Sequence, residues 1–160
     1  MAFANNKELI VLSTGNKSEM AVGYATLYGD MVGGFCVLKD IPKTLVYQLA
    51  QYRNQISEVI PKAAINRAPS AELAKNQKDS DDLPPYPILD EILKRYIELN
   101  QTLDQISAAG FSRATITKVI SLVNLSEYKR RQAPPGIKIT THAFGRERRY
   151  PITSRFDQNL

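Results

Sequence analysis

The sequence predicts an α/β protein built on a parallel sheet, and three observations carry that expectation. The apolar run Leu9-Ile10-Val11-Leu12 reads as a buried parallel strand. It passes through a polar turn, residues 14–19, into Met20-Ala21-Val22-Gly23-Tyr24, which opens a helical pattern. A second apolar run, Phe35-Cys36-Val37-Leu38, supplies another short strand.

The elements follow in order. Residues 1–7 read as the end of a helix, residues 8–13 as the first strand, and residues 17–27 as a helix. Gly29, Gly33 and Gly34 close that unit. Pro42 introduces a helix over residues 43–52. Residues 61–86 hold Pro61, Pro69, Pro84 and Pro85 together with Asp79, Asp81 and Asp82, and read as a loop. Pro87 marks the next helix start, after which Leu89, Ile92, Leu93 and Tyr96 line one face. Thr102 is placed to cap a short helix over residues 103–108, closed by Gly110. Ser112 caps a longer one, with Ile116, Val119, Ile120 and Val123 as its buried stripe. From Pro134 the chain is irregular and polar, a tail that must lie on another surface or stay partly disordered.

Composition sets bounds. A chain of 160 residues is long enough for one domain with a sizeable core. Hydrophobic residues at 43% and charged residues at 23% are ordinary for a globular protein. A single cysteine excludes an internal disulfide and fits a reducing compartment. No apolar run approaches the roughly 18 residues a membrane span needs, and no secretory signal pattern is visible, so the expected location is cytoplasmic with no membrane partner. Cys36 lies within its apolar run and reads as a buried, inert thiol. The net charge is +5. The surplus gathers at Lys129, Arg130, Arg131, Lys138, Arg146, Arg148, Arg149 and Arg155. A basic C-terminal third points to an anionic partner, either nucleic acid or a phosphorylated small molecule; a solvated basic face is the plainer alternative.

The turn at residues 14–19 carries the chemistry. In open α/β sheets, ligands collect outside the carboxyl ends of the strands. A hydroxyl, free N–H groups at a helix start and one carboxylate suit phosphate with a divalent cation. Thr14 offers the hydroxyl, and its plainer role is to cap the helix. Glu19 offers the carboxylate, and its plainer role is to complement the helix dipole. Lys43 sits near a helix start, where a cation is unfavourable unless an anion lies close by.

The string Leu12-Ser13-Thr14-Gly15-Asn16-Lys17-Ser18-Glu19, with Gly23-Tyr24 and Tyr28-Gly29-Asp30 beyond it, resembles NAD synthetase, specifically the synthetase domain of the glutamine-dependent form. Further blocks agree: Asp40-Ile41-Pro42-Lys43-Thr44, Arg67-Ala68-Pro69-Ser70-Ala71-Glu72-Leu73, Tyr128-Lys129-Arg130-Arg131-Gln132-Ala133-Pro134-Pro135-Gly136, and Ala143-Phe144-Gly145-Arg146 with Arg149-Tyr150-Pro151-Ile152-Thr153. The resemblance implies a Rossmann-like sheet of the adenine nucleotide alpha hydrolase type. It also implies ATP-dependent adenylation of deamido-NAD, followed by amidation with ammonia derived from glutamine. The family's Ser-Gly-Gly-x-Asp-Ser phosphate loop and its glutamine amidase domain do not occur in residues 1–160. The chain is therefore expected to be the C-terminal part of the synthetase domain, inactive by itself.

The resemblance also assigns roles. It places ATP on Thr14, Lys43 and Ser70, and magnesium on Glu19. It places deamido-NAD on Glu19, Tyr24, Tyr128 and Lys129. It names no catalytic side chain here. Leu27 and Gly34 stand where the ammonia-dependent branch has a substrate-binding lysine and aspartate. The family forms dimers, so a homo-oligomer without nucleic acid is expected. The competing expectations are a DNA-binding helix-turn-helix across residues 104–123, which would read bases through Arg113, Thr115 and Lys118, and a non-catalytic fragment or paralogue of NAD synthetase.

Overall fold

The computed structural model describes residues 1–69 and 78–154. Helix α1 (Ala2–Asn6) leads to strand β1 (Leu12–Ser13), helix α2 (Lys17–Val22) and strand β2 (Phe35–Cys36). The two strands pair in parallel, Leu12 with Phe35 and Ser13 with Cys36. The sheet is thus much shorter than the apolar run Leu9-Ile10-Val11-Leu12 implied. That run is also largely solvent-facing: Leu9, Ile10 and Leu12 are exposed, and Ser13 is the buried residue of β1. The backbones cross closely at Gly33, where a Cβ would stand 2.9 Å from the Val11 carbonyl oxygen. Only glycine fits that approach.

Helix α2 ends five residues earlier than its sequence pattern suggested. Gly23 adopts φ +69° and closes it in the left-handed conformation. Its start is built by a capping box. The Asn16 side chain accepts from Glu19 N at 3.0 Å, and Glu19 Oε2 accepts from Asn16 N at 3.2 Å. Asn16, not Thr14, therefore caps the helix.

Helix α3 (Lys43–Ile56) follows Pro42, runs four residues beyond the expected end and buries none of its residues. The segment read as a loop contains α4 (Lys62–Asn66) and α5 (Asp79–Asp82). Helix α6 (Tyr86–Leu93) widens into a π-helical turn, Lys94–Glu98. Helix α7 (Leu103–Ala108) begins at the Thr102 cap, with a capping box to Gln105. Helices α8 (Arg113–Leu125) and α9 (Glu127–Arg130) complete the body.

The core lies between α2, α6, α7 and α8. Leu89, Ile92, Ile97, Ile106, Ile116, Val119 and Val123 are fully buried there, so the expected α6 and α8 stripes face inward. The irregular tail lies back on the body. Cys36 N donates to Pro135 O at 2.8 Å, and Tyr150 is buried in the main core.

Candidate functional site

The first turn of α2 meets the first turn of α3 at a cleft of about 350 Å³, which includes Glu19, Lys43, Tyr47, Arg67, Pro69 and Asp79 in its walls. Lys43 Nζ lies 2.8 Å from Glu19 Oε1, and both side chains are mostly buried. Glu19 thus relieves the unfavourable placement of an ammonium at a helix N-terminus. Lys43 Nζ also stands 5.4 Å over the Tyr86 ring. The Tyr86 hydroxyl donates to Asp79 Oδ2 at 2.6 Å. Burial first, then the bond to Asp79, holds the Tyr86 phenol well above its ordinary range. The other Asp79 oxygen, Oδ1, is buried without a hydrogen-bond partner among the described residues.

The two helix starts are locked together by Asp90 of α6. Its Oδ1 accepts from Ser18 Oγ, and its Oδ2 accepts from Thr44 N at 2.9 Å. Ser18 Oγ in turn accepts from Lys43 N at 2.8 Å. The carboxylate thereby satisfies one orphan donor of α3 directly and a second through Ser18, and fixes Lys43 beside Glu19.

Behind the cleft lies a buried polar junction that sequence reasoning missed. Lys17 is 3% exposed. Its ammonium contacts Asp40 at 3.1 Å, Glu98 at 2.9 Å, the Thr140 hydroxyl at 2.5 Å and the His142 carbonyl at 3.0 Å. Asp40 also accepts from the backbone N–H groups of Ile139 and Thr140 at 2.8 and 2.7 Å. Burial alone would raise the Asp40 carboxyl. The Thr140 and Ile139 N–H groups, the Thr140 hydroxyl and the Lys17 ammonium together hold it below its usual range. The lysine inside the Thr14–Glu19 turn was the available signal, but its partners lie 23 to 125 residues away along the chain.

The expected site residues divide spatially. Glu19 and Lys43 are brought together. Thr14 is exposed at the end of β1. Ser70 lies outside the described residues. Tyr24 is half-buried just past α2, and Tyr128 is 43% exposed on α9. Lys129 Nζ donates to the carbonyls of Gly23 and Ala25 at 2.6 and 2.7 Å. Gly34 lies against Ile10, where a Cβ would come within 2.8 Å of a side-chain carbon. A side chain at this position would have to displace the exposed Ile10 side chain.

The basic C-terminal third is mostly engaged within the fold. Arg130 donates to the carbonyls of Ala21 at 2.7 Å and Val123 at 2.5 Å, pairs with Glu127 at 3.1 Å, and stacks over Phe144. Burial lowers its pKa, and Glu127 opposes that shift. Arg131 pairs with Glu127, Lys138 with Glu147, and Arg148 donates to Asn100 and Tyr150. Among the described residues, these contacts let the cations brace helix ends and tail. The proposed base reader Arg113 is likewise paired, with Asp104.

Fold and site together define a Rossmann-like α/β protein in which two adjacent helix starts set one carboxylate and one ammonium at a cleft. The family model described as NAD synthase matches residues 1–133. The chain belongs to the NAD synthase family. It is 58% identical over 156 residues to the glutamine-dependent NAD(+) synthetase of Acinetobacter baylyi, covering 96% of this chain and 29% of that protein. It is 53% identical over 154 residues to the same enzyme of Aquifex aeolicus, covering 96% and 27%. The chain thus spans under a third of the length of these curated relatives. Among solved structures, a glutamine-dependent NAD(+) synthetase from Cytophaga hutchinsonii superposes with TM-score 0.74 at 22% identity, covering 96% of this chain and 26% of that one; it bears on fold alone. NMN synthetase from Francisella tularensis gives 0.65 at 26% identity, covering 87% and 49%. Nothing in the structure or the comparisons supports the helix-turn-helix alternative. Among the described residues, no helix is long and apolar enough to cross a membrane.

Proposed function

We propose that this chain is the C-terminal part of the synthetase domain of a glutamine-dependent NAD synthetase, a ligase that adenylates deamido-NAD with ATP and amidates it with ammonia. The carrying observation is the 58% identity, over 96% of the chain, to an enzyme named for that activity. The pairing of Glu19 with Lys43 at the cleft supports the same reading. ATP phosphates would meet Lys43, with Thr14 and Ser70 contributing hydroxyls. Tyr24, Tyr128 and Lys129 belong to the deamido-NAD side, together with Glu19.

The donor set fits magnesium in one particular way. No group of three His, Cys, Asp or Glu residues suited to a metal occurs among the described residues. Magnesium is commonly held by one or two carboxylates plus substrate phosphates. Glu19 supplies such a carboxylate, next to an ammonium suited to the same phosphates. The bound cation would neutralise charge developing on the leaving pyrophosphate. The chain's own residues position the reactants: Glu19 and Lys43 orient the triphosphate, and Asp90 keeps those two side chains in register.

Calorimetric titration of the chain with magnesium–ATP and with deamido-NAD tests this. Saturable binding of both, with the ATP arm lost in Glu19→Gln, is the expected result. Absence of binding by either ligand would overturn the assignment.

A further inference from the structure

We propose that Lys17 is a positioning residue: its buried ammonium ties the tail to the starts of α2 and α3, and so keeps Glu19 and Lys43 in register across the cleft. In giving those two side chains magnesium–ATP to orient, this rests on the reading above.

Lys17 lies outside the cleft walls, in the first turn of α2, two residues before Glu19. Its ammonium meets the tail and the π turn instead, at 2.5 Å from the Thr140 hydroxyl and 2.9 Å from Glu98. Asp40, 3.1 Å from the same ammonium, stands two residues before Pro42, the N-cap of α3. The Lys17 backbone N–H donates to Ile41 O at 2.9 Å. One residue of α2 thus grips the approach to α3 twice, by its main chain and by its charge. The same two helix starts meet again on the cleft side. There Ser18 and Asp90 accept from the Lys43 and Thr44 amides, and Glu19 pairs with Lys43.

The tail completes the tie. Asp40 accepts from the N–H groups of Ile139 and Thr140, and the Thr140 hydroxyl reaches Asp40 at 2.8 Å as well as Lys17. His142 O accepts from Lys17 at 3.0 Å, and its ring Nδ1 lies 3.1 Å from Glu98 O. Residues 139–142 therefore form a strap across both helix starts. A cluster of charges this deeply buried is a weak source of net stability, because desolvation offsets much of its Coulomb attraction. What it supplies is one arrangement. An ammonium satisfied by two carboxylates, a hydroxyl and a carbonyl has no second position of equal energy in a dry interior. Removing the ammonium leaves the α2–α3 junction to the cleft-side bonds and the single backbone bond to Ile41.

The test begins with the ligand-free chain. The Lys43 and Thr44 amides donate across the junction, so their hydrogen exchange reports on it. Exchange is compared in wild type, Lys17→Met, Thr140→Val and Thr140→Ser, with Ile120 in α8 as the internal reference for an intact fold. Both amides should exchange about tenfold faster in Lys17→Met and measurably faster in Thr140→Val, with Ile120 unchanged. Thr140→Ser, which keeps the hydroxyl, should retain wild-type protection. Magnesium–ATP titrated into the same proteins should bind Lys17→Met about tenfold more weakly than wild type. Should Lys17→Met fail to fold, the Thr140 pair decides by the same readouts. Unchanged exchange at Lys43 and Thr44, or equal acceleration at Ile120, overturns the strap. Faster exchange at the junction with unchanged magnesium–ATP affinity overturns the positioning role. If wild type itself binds no magnesium–ATP, the functional reading fails, while the ligand-free exchange data still decide the strap.

Discussion

Lys43 occupies the first turn of α3, where the helix dipole disfavours a cation, and the Glu19 carboxylate at 2.8 Å offsets that, with the Tyr86 ring face beside it. A triphosphate entering the cleft would compete with Glu19 for this ammonium. Lys43→Ala should therefore weaken magnesium–ATP binding by about ten- to a hundredfold, the value of a charge-assisted contact. Deamido-NAD affinity should stay within about twofold; equal losses for both ligands would show that the two do not use separate subsites. Gly23 offers a second test at this scale. Its φ of +69° and the 2.2 Å approach of a built Cβ to Ser126 Oγ exclude a side chain. Gly23→Ala should cost roughly 2–4 kcal/mol, combining left-handed strain with overpacking. Adding Ser126→Gly should recover the overpacking part only, which urea unfolding of the single and double variants would reveal.

At the scale of elements, Arg130 joins α9 to the ends of two other helices. Its guanidinium caps carbonyls of α2 and α8 while paired with Glu127 and stacked on Phe144. A lysine cannot reproduce that fork. Arg130→Lys should destabilise the fold by about 3 kcal/mol, since Glu127 would be left buried with incomplete pairing. A loss below about 1 kcal/mol in denaturant titration would make these contacts incidental. Such junctions mark where the sequence stops being legible. Helices α7 and α8 could be read because their signals are local: the Thr102 cap, Gly110, and the stripe from Ile116 to Val123. The Glu19–Lys43 pairing was half legible, since each residue stood at a helix start but the distance between them was not encoded nearby. The contacts of Lys17 with His142, Arg130 with Ala21 and Lys129 with Gly23 were illegible, because each spans roughly a hundred residues of chain. The first strand was overread for a related reason. An apolar run fits a buried strand or an exposed edge equally well, and here Leu9, Ile10 and Leu12 face outward.

The whole molecule is closed by its tail, and the closure depends on Asp40. This carboxylate, 3% exposed, gathers Lys17 from α2 and the Ile139 and Thr140 amides from the tail; Glu98, from the π turn, and the His142 carbonyl meet the same ammonium. Burial opposes its charge, but the tail amides, the Thr140 hydroxyl and Lys17 together leave its folded pKa below the ordinary value. A carboxyl depressed in this way stabilises the fold at pH above its unfolded pKa, about 4, and loses that contribution as pH falls toward the folded pKa. Asp40→Asn should therefore cost about 3 kcal/mol at neutral pH, where it leaves buried Lys17 with only the partly exposed Glu98 carboxylate among the described residues and weakens the acceptor for the tail amides. The gap between wild type and variant should then narrow steadily below about pH 4, as the native carboxyl takes up its proton. Urea unfolding followed from pH 7 down to pH 2.5 checks this, with the buried Tyr150 reporting on the tail. Parallel curves for the two proteins would mean that the tail is held by its apolar contacts, and that the ion cluster around Lys17 contributes nothing that depends on charge.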